Sequence, residues 1–318
     1  MTIIERLDTA TVPAAVSLCV NDLGFCYRGA ADDVLTGVGF DLTAGEVLGI
    51  LGPNGSGKST LLKALLDAQS GVRTGRVTTS VHGDAVELPR VVGFASQHIA
   101  LYQQLTVWEN LRHSARVSVP WRQVGDAVDR TIAEFGLEQV IRVPVEKLSG
   151  GWQRLAHIAA SFVHSPPIRL LDEPTAALDF EARGRLVELI GQWRRQRMAM
   201  IVTSHYPEDI EETCTHAVVL RGGTIVRRGT LAALLGGLDA ELVLEVDVAG
   251  VPATVRAPAP VTAADLSTVV ASLVRDKEIS AARLTAARLT RKTLRQLMVS
   301  DPELRGLLDD DQSGHPAG

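Results

Sequence analysis

The chain has 318 residues, of which 46% are hydrophobic, 22% charged and only 4% aromatic, with a formal net charge of -5. That apolar share suits one large or two ordinary domains and excludes wholesale disorder, while the acidic balance lacks the overall electrostatic footprint of a nucleic-acid binder. No stretch approaches the roughly 20 apolar residues of a membrane span, Met1–Ala10 carries Glu5, Arg6 and Asp8 where an export signal needs an apolar block, and Cys19, Cys26 and Cys214 form neither a disulfide framework nor a CxxC metal site.

Apolar runs punctuated by glycine alternate with helical patterns up to about Leu235, which predicts parallel strands joined by helices. Phe25 and Tyr27 alternate on the first predicted strand, with core packing the ordinary reading of both. Val47–Leu51 is a short buried strand, and Gly52-Pro-Asn-Gly-Ser-Gly-Lys-Ser59 follows it directly. This octapeptide fits G-x-x-x-x-G-K-[ST], and Thr60–Leu66 continues it as a helix. Glycines let the backbone wrap an anion, and successive N–H groups at a helix N-terminus direct positive partial charge at it. Lys58 adds a full charge against the β- and γ-phosphates, and the Ser59 hydroxyl suits Mg²⁺, a hard ion that prefers oxygen. The expected ligand is a nucleoside triphosphate.

The segment from Gln97 to Ser149 reads as a mostly helical insertion punctuated by Pro120 and Pro144, with Thr106 and Glu109 as a capping box. Ser149-Gly150-Gly151 precedes a helix whose Leu155, Ile158, Ala159 and Phe162 share one apolar face, and can form a second anion cradle. Ile168–Leu171 is another buried strand, ending at Asp172 and Glu173. Asp172 is suited to a Mg²⁺-bound water and Glu173 to polarising an attacking one. Met198–Thr203 and Ala217–Leu220 complete the buried strands, and His205 follows the former. Chemical groups thus fall at the carboxyl ends of strands, where open α/β sheets bind ligands.

After Gly236-Gly237 the texture changes. Glu241–Val248 alternates as a half-buried strand, with Pro252–Ala257 as its pairing partner. A helix capped at Thr262–Asp265 presents Leu266, Val269, Val270 and Leu273, Ile279–Leu289 is a further strand, and Lys292–Val299 a closing helix. The basic run Arg283–Arg295 reads as a solvated helix face, with contact to lipid headgroups or a partner as the alternative. The tail from Asp309 is acidic and then rich in Ser, Gly and Pro, as disordered termini are.

Taken together, these motifs resemble the ATP-binding subunit of an ATP-binding cassette (ABC) transporter, over residues 15 to 235. Leu148-Ser-Gly-Gly151 resembles the family's signature, Leu170-Leu-Asp-Glu-Pro-Thr175 its Walker B strand with catalytic glutamate, Gln97 its Q-loop glutamine, Ala177-Leu-Asp179 its D-loop, and Thr203-Ser-His205 its switch histidine. Tyr27 stands where the family sets an aromatic ring against adenine. The resemblance implies an α/β P-loop cassette with a mostly parallel core sheet, an antiparallel β subdomain and a helical subdomain at about 98–150, followed by a small α+β domain at 236–308 and a disordered tail at 309–318.

It also implies a set of site residues. Catalysis falls to Lys58, Glu173 and His205. ATP is held by Tyr27, Gly52, Pro53, Asn54, Gly55, Ser56, Gly57, Lys58, Ser59, Thr60, Gln97 and Asp179, with Ser149, Gly150 and Gly151 reaching nucleotide across a head-to-tail dimer of two cassettes. Mg²⁺ is held by Ser59, Gln97 and Asp172. Trp152, the Ala176-Ala177 pair and Thr215-His216 depart from the common pattern without removing a catalytic group.

Leu101–Leu111 and Val219–Thr230 are similar to segments of ABC-2-type exporters of drugs, antibiotics and lipids, and Leu289–Leu294 to a degenerate form of their closing motif. The implied protein is an ATPase, cytoplasmic and peripheral at the inner face of the cell membrane, working on a separate polytopic permease docked at the helical insertion, with no nucleic-acid partner. A soluble ABC ATPase acting on ribosomes or DNA is the alternative. Ribosome-acting members usually carry two cassettes in one chain, and DNA-repair members need a long coiled coil for which the insertion has no room. A P-loop kinase or GTPase would use Lys58 but leave Ser149–Gly151 and His205 without a role.

Overall fold

The computed structural model describes residues 15–66, 71–176, 178–236, 240–248, 251–259, 282–290, 293–301 and 304. Runs of β-branched and aliphatic residues form its strands. Val47–Leu51 (β3) is buried at every position, as a strand covered on both faces must be. It lies in a six-stranded sheet of order β10-β9-β3-β8-β7-β6, built from Val92–Ala95 (β6), Ile168–Leu171 (β7), Ala199–Ser204 (β8), His216–Arg221 (β9) and Thr224–Thr230 (β10). Strands β9, β3, β8, β7 and β6 run parallel, and β10 returns antiparallel to β9. The order is not sequential: β8 separates β3 from β7, with Leu51 opposite Ser204 and Leu171 opposite Val202. The three chain segments that leave these strands therefore emerge side by side.

A second, antiparallel sheet of order β2-β1-β4-β5 combines Val16–Tyr27 (β1), Leu35–Thr43 (β2), Gly71–Val81 (β4) and Asp84–Ala85 (β5). Its inward residues Leu18, Phe25, Leu35 and Leu42 share one buried cluster with Ile50, Leu170 and Ile201 of the parallel sheet. Leu61 and Leu62 of helix Lys58–Leu65 (α1) join them. Each fully buried aliphatic side chain contributes about 1.5–3 kcal/mol.

The segment after β6 is helical, as expected. It contains Val107–Ser118 (α2), Val124–Phe135 (α3) and Gly150–Phe162 (α4), which pack on one another. The Thr106–Glu109 capping box forms in full, and Leu155, Ile158, Ala159 and Phe162 are all buried. Pro120 and Pro144 each precede a short 3-10 turn, at Trp121–Gln123 and Val145–Lys147. Phe180–Arg195 (α5) and Pro207–Thr213 (α6) complete the connections around β8.

By internal contacts the chain divides into two compact units, with the second spanning Ala232–Arg305. It holds a three-stranded antiparallel sheet of order β12-β11-β13, from Ala240–Val248 (β11), Val251–Ala259 (β12) and Ala282–Thr290 (β13). Strands β11 and β12 pair as the alternating pattern predicts. Helix Leu294–Ser300 carries a capping box between Thr293 and Gln296. The helix expected at 262–273, the tail from Asp309, and Ala177 of the D-loop-like segment lie outside the described residues. Among the described residues no helix is long and apolar enough to cross a membrane.

Candidate nucleotide site

The loop after β3 turns tightly into α1. Gly55 and Gly57 adopt φ of +78° and +104°, conformations that side-chain-bearing residues rarely reach. A Cβ on Gly52 would come within 2.4 Å of the Leu220 carbonyl and 2.6 Å of Ser56 Oγ, so only glycine fits there. Lys58, buried, folds its ammonium back over the loop, donating to the carbonyls of Gly52 (2.8 Å) and Pro53 (3.1 Å). The hydroxyl of Ser56 is buried with no hydrogen-bond partner among the described residues. A cradle of main-chain N–H groups, one buried cation and one orphaned hydroxyl fits a polyphosphate anion. Tyr27, at the end of β1, packs edge-on to Phe25 and shares a 3.0 Å hydrogen bond between its hydroxyl and Thr60 Oγ1. It is thereby fixed against the same loop.

Strand β7, on the far side of β8, supplies carboxylates. Glu173 follows β7 with φ of +45°, a left-handed backbone that costs a glutamate energy and is held by its neighbours. Its N–H donates to Thr203 Oγ1 (2.8 Å), whose own proton goes to Asp172 Oδ1 (2.7 Å). Its carboxylate is divided. Oε1 meets Lys58 Nζ at 3.2 Å and Oε2 meets His205 Nδ1 at 3.1 Å. Lys58, Glu173, His205 and Asp172, expected from the sequence at three different strand ends, thus form one connected network.

Several members of this network carry no motif. Arg154 of α4 donates to the carbonyls of Ser96 (2.6 Å), Gln97 (2.7 Å), Asp172 (2.6 Å), Glu173 (3.0 Å) and Pro174 (3.4 Å). Burial pulls its pKa down, and the charges of Asp172 and Glu173 support it. His157, one turn on, is held down to a pKa of about 4 by burial first and then by Arg154, against a hydrogen bond to the Ser96 carbonyl. Asp209 of α6 accepts from Thr175, Ser204 and Arg183. The available signal for Arg154 was its position: an arginine in line with the apolar face of Leu155, Ile158 and Phe162 must find partners inside.

The remaining expected residues sit elsewhere. Gln97 is exposed just beyond β6. Ser149 caps α4 by accepting from Trp152 N–H, and Asp179 caps α5 by accepting from Ala182 N–H. A Cβ on Gly151 would lie 3.1 Å from the Asp179 carboxylate, so these two segments adjoin, with Ser149, Gly150 and Asp179 facing solvent. Among the described residues no three His, Cys, Asp or Glu cluster as a metal cage. A hydroxyl, an amide and a single carboxylate, from Ser59, Gln97 and Asp172, is instead an all-oxygen donor set of the kind Mg²⁺ takes while keeping waters and phosphate oxygens.

Comparison with known proteins agrees with this geometry. The family model described as ABC transporter matches residues 35–176. The chain is 28% identical over 222 residues to the linearmycin resistance ATP-binding protein LnrL of Bacillus subtilis, covering 69% of this chain and 71% of that one. It is 31% identical over 234 residues to the Nod factor export ATP-binding protein I of Azorhizobium caulinodans, covering 72% of each. A solved structure titled as the ATP binding subunit of an ABC transporter superposes with a TM-score of 0.59 at 26% identity, over 69% of this chain and 92% of that one. With this P-loop, these strand-end carboxylates and these relatives, the chain belongs to the family of ATP-binding, ATP-hydrolysing subunits of ABC transporters.

Proposed function

We propose that this chain is the ATPase subunit of an ABC-2-type exporter, with residues 15–235 as the cassette and 236–308 as an accessory domain. The observation that carries the ATPase chemistry is the Glu173 carboxylate bridging Lys58 and His205. In this reading Lys58 and the loop amides from Gly52 to Thr60 bind the phosphates, and Tyr27 stacks on the adenine. Glu173, oriented by His205 and by its backbone bond to Thr203, accepts the proton of the attacking water. When bound at Ser59, Gln97 and Asp172, Mg²⁺ supplies charge neutralisation of the phosphate oxygens. Phosphoryl transfer needs little beyond such positioning and charge stabilisation.

Solvent-facing Ser149, Gly150 and Asp179 support a site completed by a second copy of the chain, closed head-to-tail around two ATP. The helical segment supplies the docking surface for a polytopic permease at the inner face of the membrane. Tyr102 (58% exposed) and Leu105 (36%) precede α2 and Trp108 (40%) lies in its first turn, all just after the Gln97 turn. Export of a drug-, antibiotic- or lipid-like molecule is supported by the resemblance of Leu101–Leu111 to exporters and by the names of the two relatives.

Two measurements test the proposal. Glu173→Gln lowers ATP turnover about 10²- to 10⁴-fold, the range of a general base, while trapping an ATP-bound dimer visible by size-exclusion chromatography; undiminished turnover refutes the catalytic assignment. Affinity purification from the native membrane recovers a polytopic membrane protein, whereas recovery of ribosomal RNA or duplex DNA sinks the transport reading.

A further inference from the structure

The carbonyls just beyond a parallel strand have left the ladder and must find other donors. Five such groups converge here: those of Ser96 and Gln97 after β6, and those of Asp172, Glu173 and Pro174 after β7. One guanidinium serves all five. Arg154 is only 4% exposed, and each of its three nitrogens is engaged. A planar fork with five N–H groups can do this, while a lysine ammonium, with three donors at one point, cannot.

Three residues further along the same face of α4, His157 grips the other end of the Gln97 turn. Its Nδ1 accepts the Ala100 N–H at 3.3 Å, which leaves the ring proton on Nε2, facing the Ser96 carbonyl at 3.2 Å. Ser96 Oγ in turn donates to the His98 carbonyl at 2.8 Å. The turn Ser96–Ala100 is therefore clamped at both ends by one helix, and that helix also holds the backbone of the catalytic carboxylate.

We infer that Arg154 and His157 are positioning residues, which bind the Gln97 turn and the Asp172–Pro174 backbone to α4 as one unit. A push on the turn from its exposed side is then delivered to the backbone of Glu173 through a single guanidinium. Neither residue needs to touch ATP; each acts through Gln97 or Glu173. The inference rests on the roles proposed above for those two residues.

Steady-state ATP hydrolysis by the purified full chain, titrated in ATP and separately in free Mg²⁺, provides the test. His157→Ala frees the Ala100 end of the turn. It lowers kcat about 10- to 100-fold, the scale of a small misplacement of catalytic groups, leaves KM for ATP unchanged and raises the free Mg²⁺ needed for half-maximal rate. In His157→Gln the amide oxygen can accept from Ala100 and the amide N–H can donate to Ser96, so it recovers most of kcat. Arg154→Lys loses kcat and is not rescued by Mg²⁺. Thermal melting of each variant accompanies the kinetics. Wild-type kcat and Mg²⁺ dependence in His157→Ala overturns the inference. So does a loss of kcat that His157→Gln fails to restore while melting as the wild type does. A wild-type chain with no ATP turnover at all overturns the functional reading beneath it instead.

Discussion

Two buried arginines anchor two regions of the cassette, and they are satisfied in opposite ways. Arg154 lies among neutral backbone carbonyls from two loops, with every nitrogen bonded. Arg169, in the middle of β7 and fully buried, has one carboxylate, Glu134 Oε1 of α3 at 3.0 Å. The ring of Trp193 lies 4.2 Å from its guanidinium carbon and that of Phe162 5.0 Å, while its Nε and Nη2 have no hydrogen-bond partner among the described residues. Trp193 Nε1 donates to the same Glu134 oxygen. A guanidinium held by main chain fixes loop backbone to within a hydrogen bond, which is what a catalytic site requires. One held by a carboxylate and aromatic faces fixes whole elements, here α3 and α5 against the sheet, but leaves polar atoms unmatched. In the proposed function the first arrangement serves chemistry; the second serves architecture.

The largest stability effect tests the architectural centre. Removing one partner of a buried ion pair strands the other, at a cost of about 3–5 kcal/mol. Glu134→Leu should approach the lower end, because Glu134 keeps 23% exposure and some hydration, and Arg169→Met alone should likewise strand its partner. A buried pair replaced as a whole by apolar groups of similar size is often neutral or stabilising. The double variant Glu134→Leu with Arg169→Met should therefore recover most of the loss, the more so because Arg169 already leaves two nitrogens unmatched. Urea unfolding of the four proteins in a double-mutant cycle measures the coupling. Additive losses would show that the pair does not act as a unit.

Each arginine also has a histidine neighbour, His157 buried and His164 half-buried, and the pair sharpens the comparison through pH. His157 is pulled down to a pKa of about 4, by burial and then by Arg154. His164 is pulled down by burial above all, with Arg169 a smaller contributor and the Val92 carbonyl opposing. A histidine whose folded pKa is depressed stays neutral while its unfolded counterpart takes up a proton. Stability is therefore full above the ordinary value of 6.5 and falls as pH drops toward about 4. His157→Gln should flatten the stability profile across that window by up to a few kcal/mol, and His164→Gln should flatten it below the ordinary histidine value. Urea midpoints at pH 7 and pH 5 provide the readout, and parallel profiles for variant and wild type would exclude a buried neutral histidine.

The contrast between the two centres also marks what the sequence disclosed. Lys58, Asp172 and Glu173 sit in short contiguous motifs, where neighbouring glycines or an apolar strand constrain the backbone and so fix the side chain's direction. Their meeting required only that β3, β7 and β8 be adjacent. Arg154 and His157 bond to residues some 57 positions away, and nothing local specifies those partners. Arg169 was absorbed into an apolar strand because three of its four residues are aliphatic; its acceptable burial depends on Glu134 from another element. Thr203 reads as an ordinary strand residue, yet its hydroxyl connects Asp172 to the Glu173 backbone. Local pattern carried the strands, the P-loop and the Thr106 cap. Long-range satisfaction of buried polar groups, which decides how the motifs are held, had no pattern to read.

The smallest expected effect lies in the helical segment, at the start of α2. Thr106 Oγ1 accepts the Glu109 N–H at 3.2 Å, and Glu109 Oε2 accepts the Thr106 N–H and hydroxyl at 2.8 Å each. Loss of an N-cap threonine costs about 1 kcal/mol. The same bonds hold the Glu109 carboxyl below its ordinary range, the Thr106 backbone bond first among them. A carboxylate with a depressed folded pKa contributes fully above the ordinary glutamate range and loses that contribution as pH falls through its folded value. Thr106→Ala should therefore melt below the wild type at neutral pH, and the gap should narrow in acid without closing, because the cap bond from the Glu109 N–H does not depend on pH. Because the cap belongs to a helix start far in the hydrogen-bond network from Lys58 and Glu173, kcat and KM for ATP should stay at their wild-type values. A changed KM would mean that the helical segment feeds back on the phosphate loop, and would erase the division between the two arginine centres.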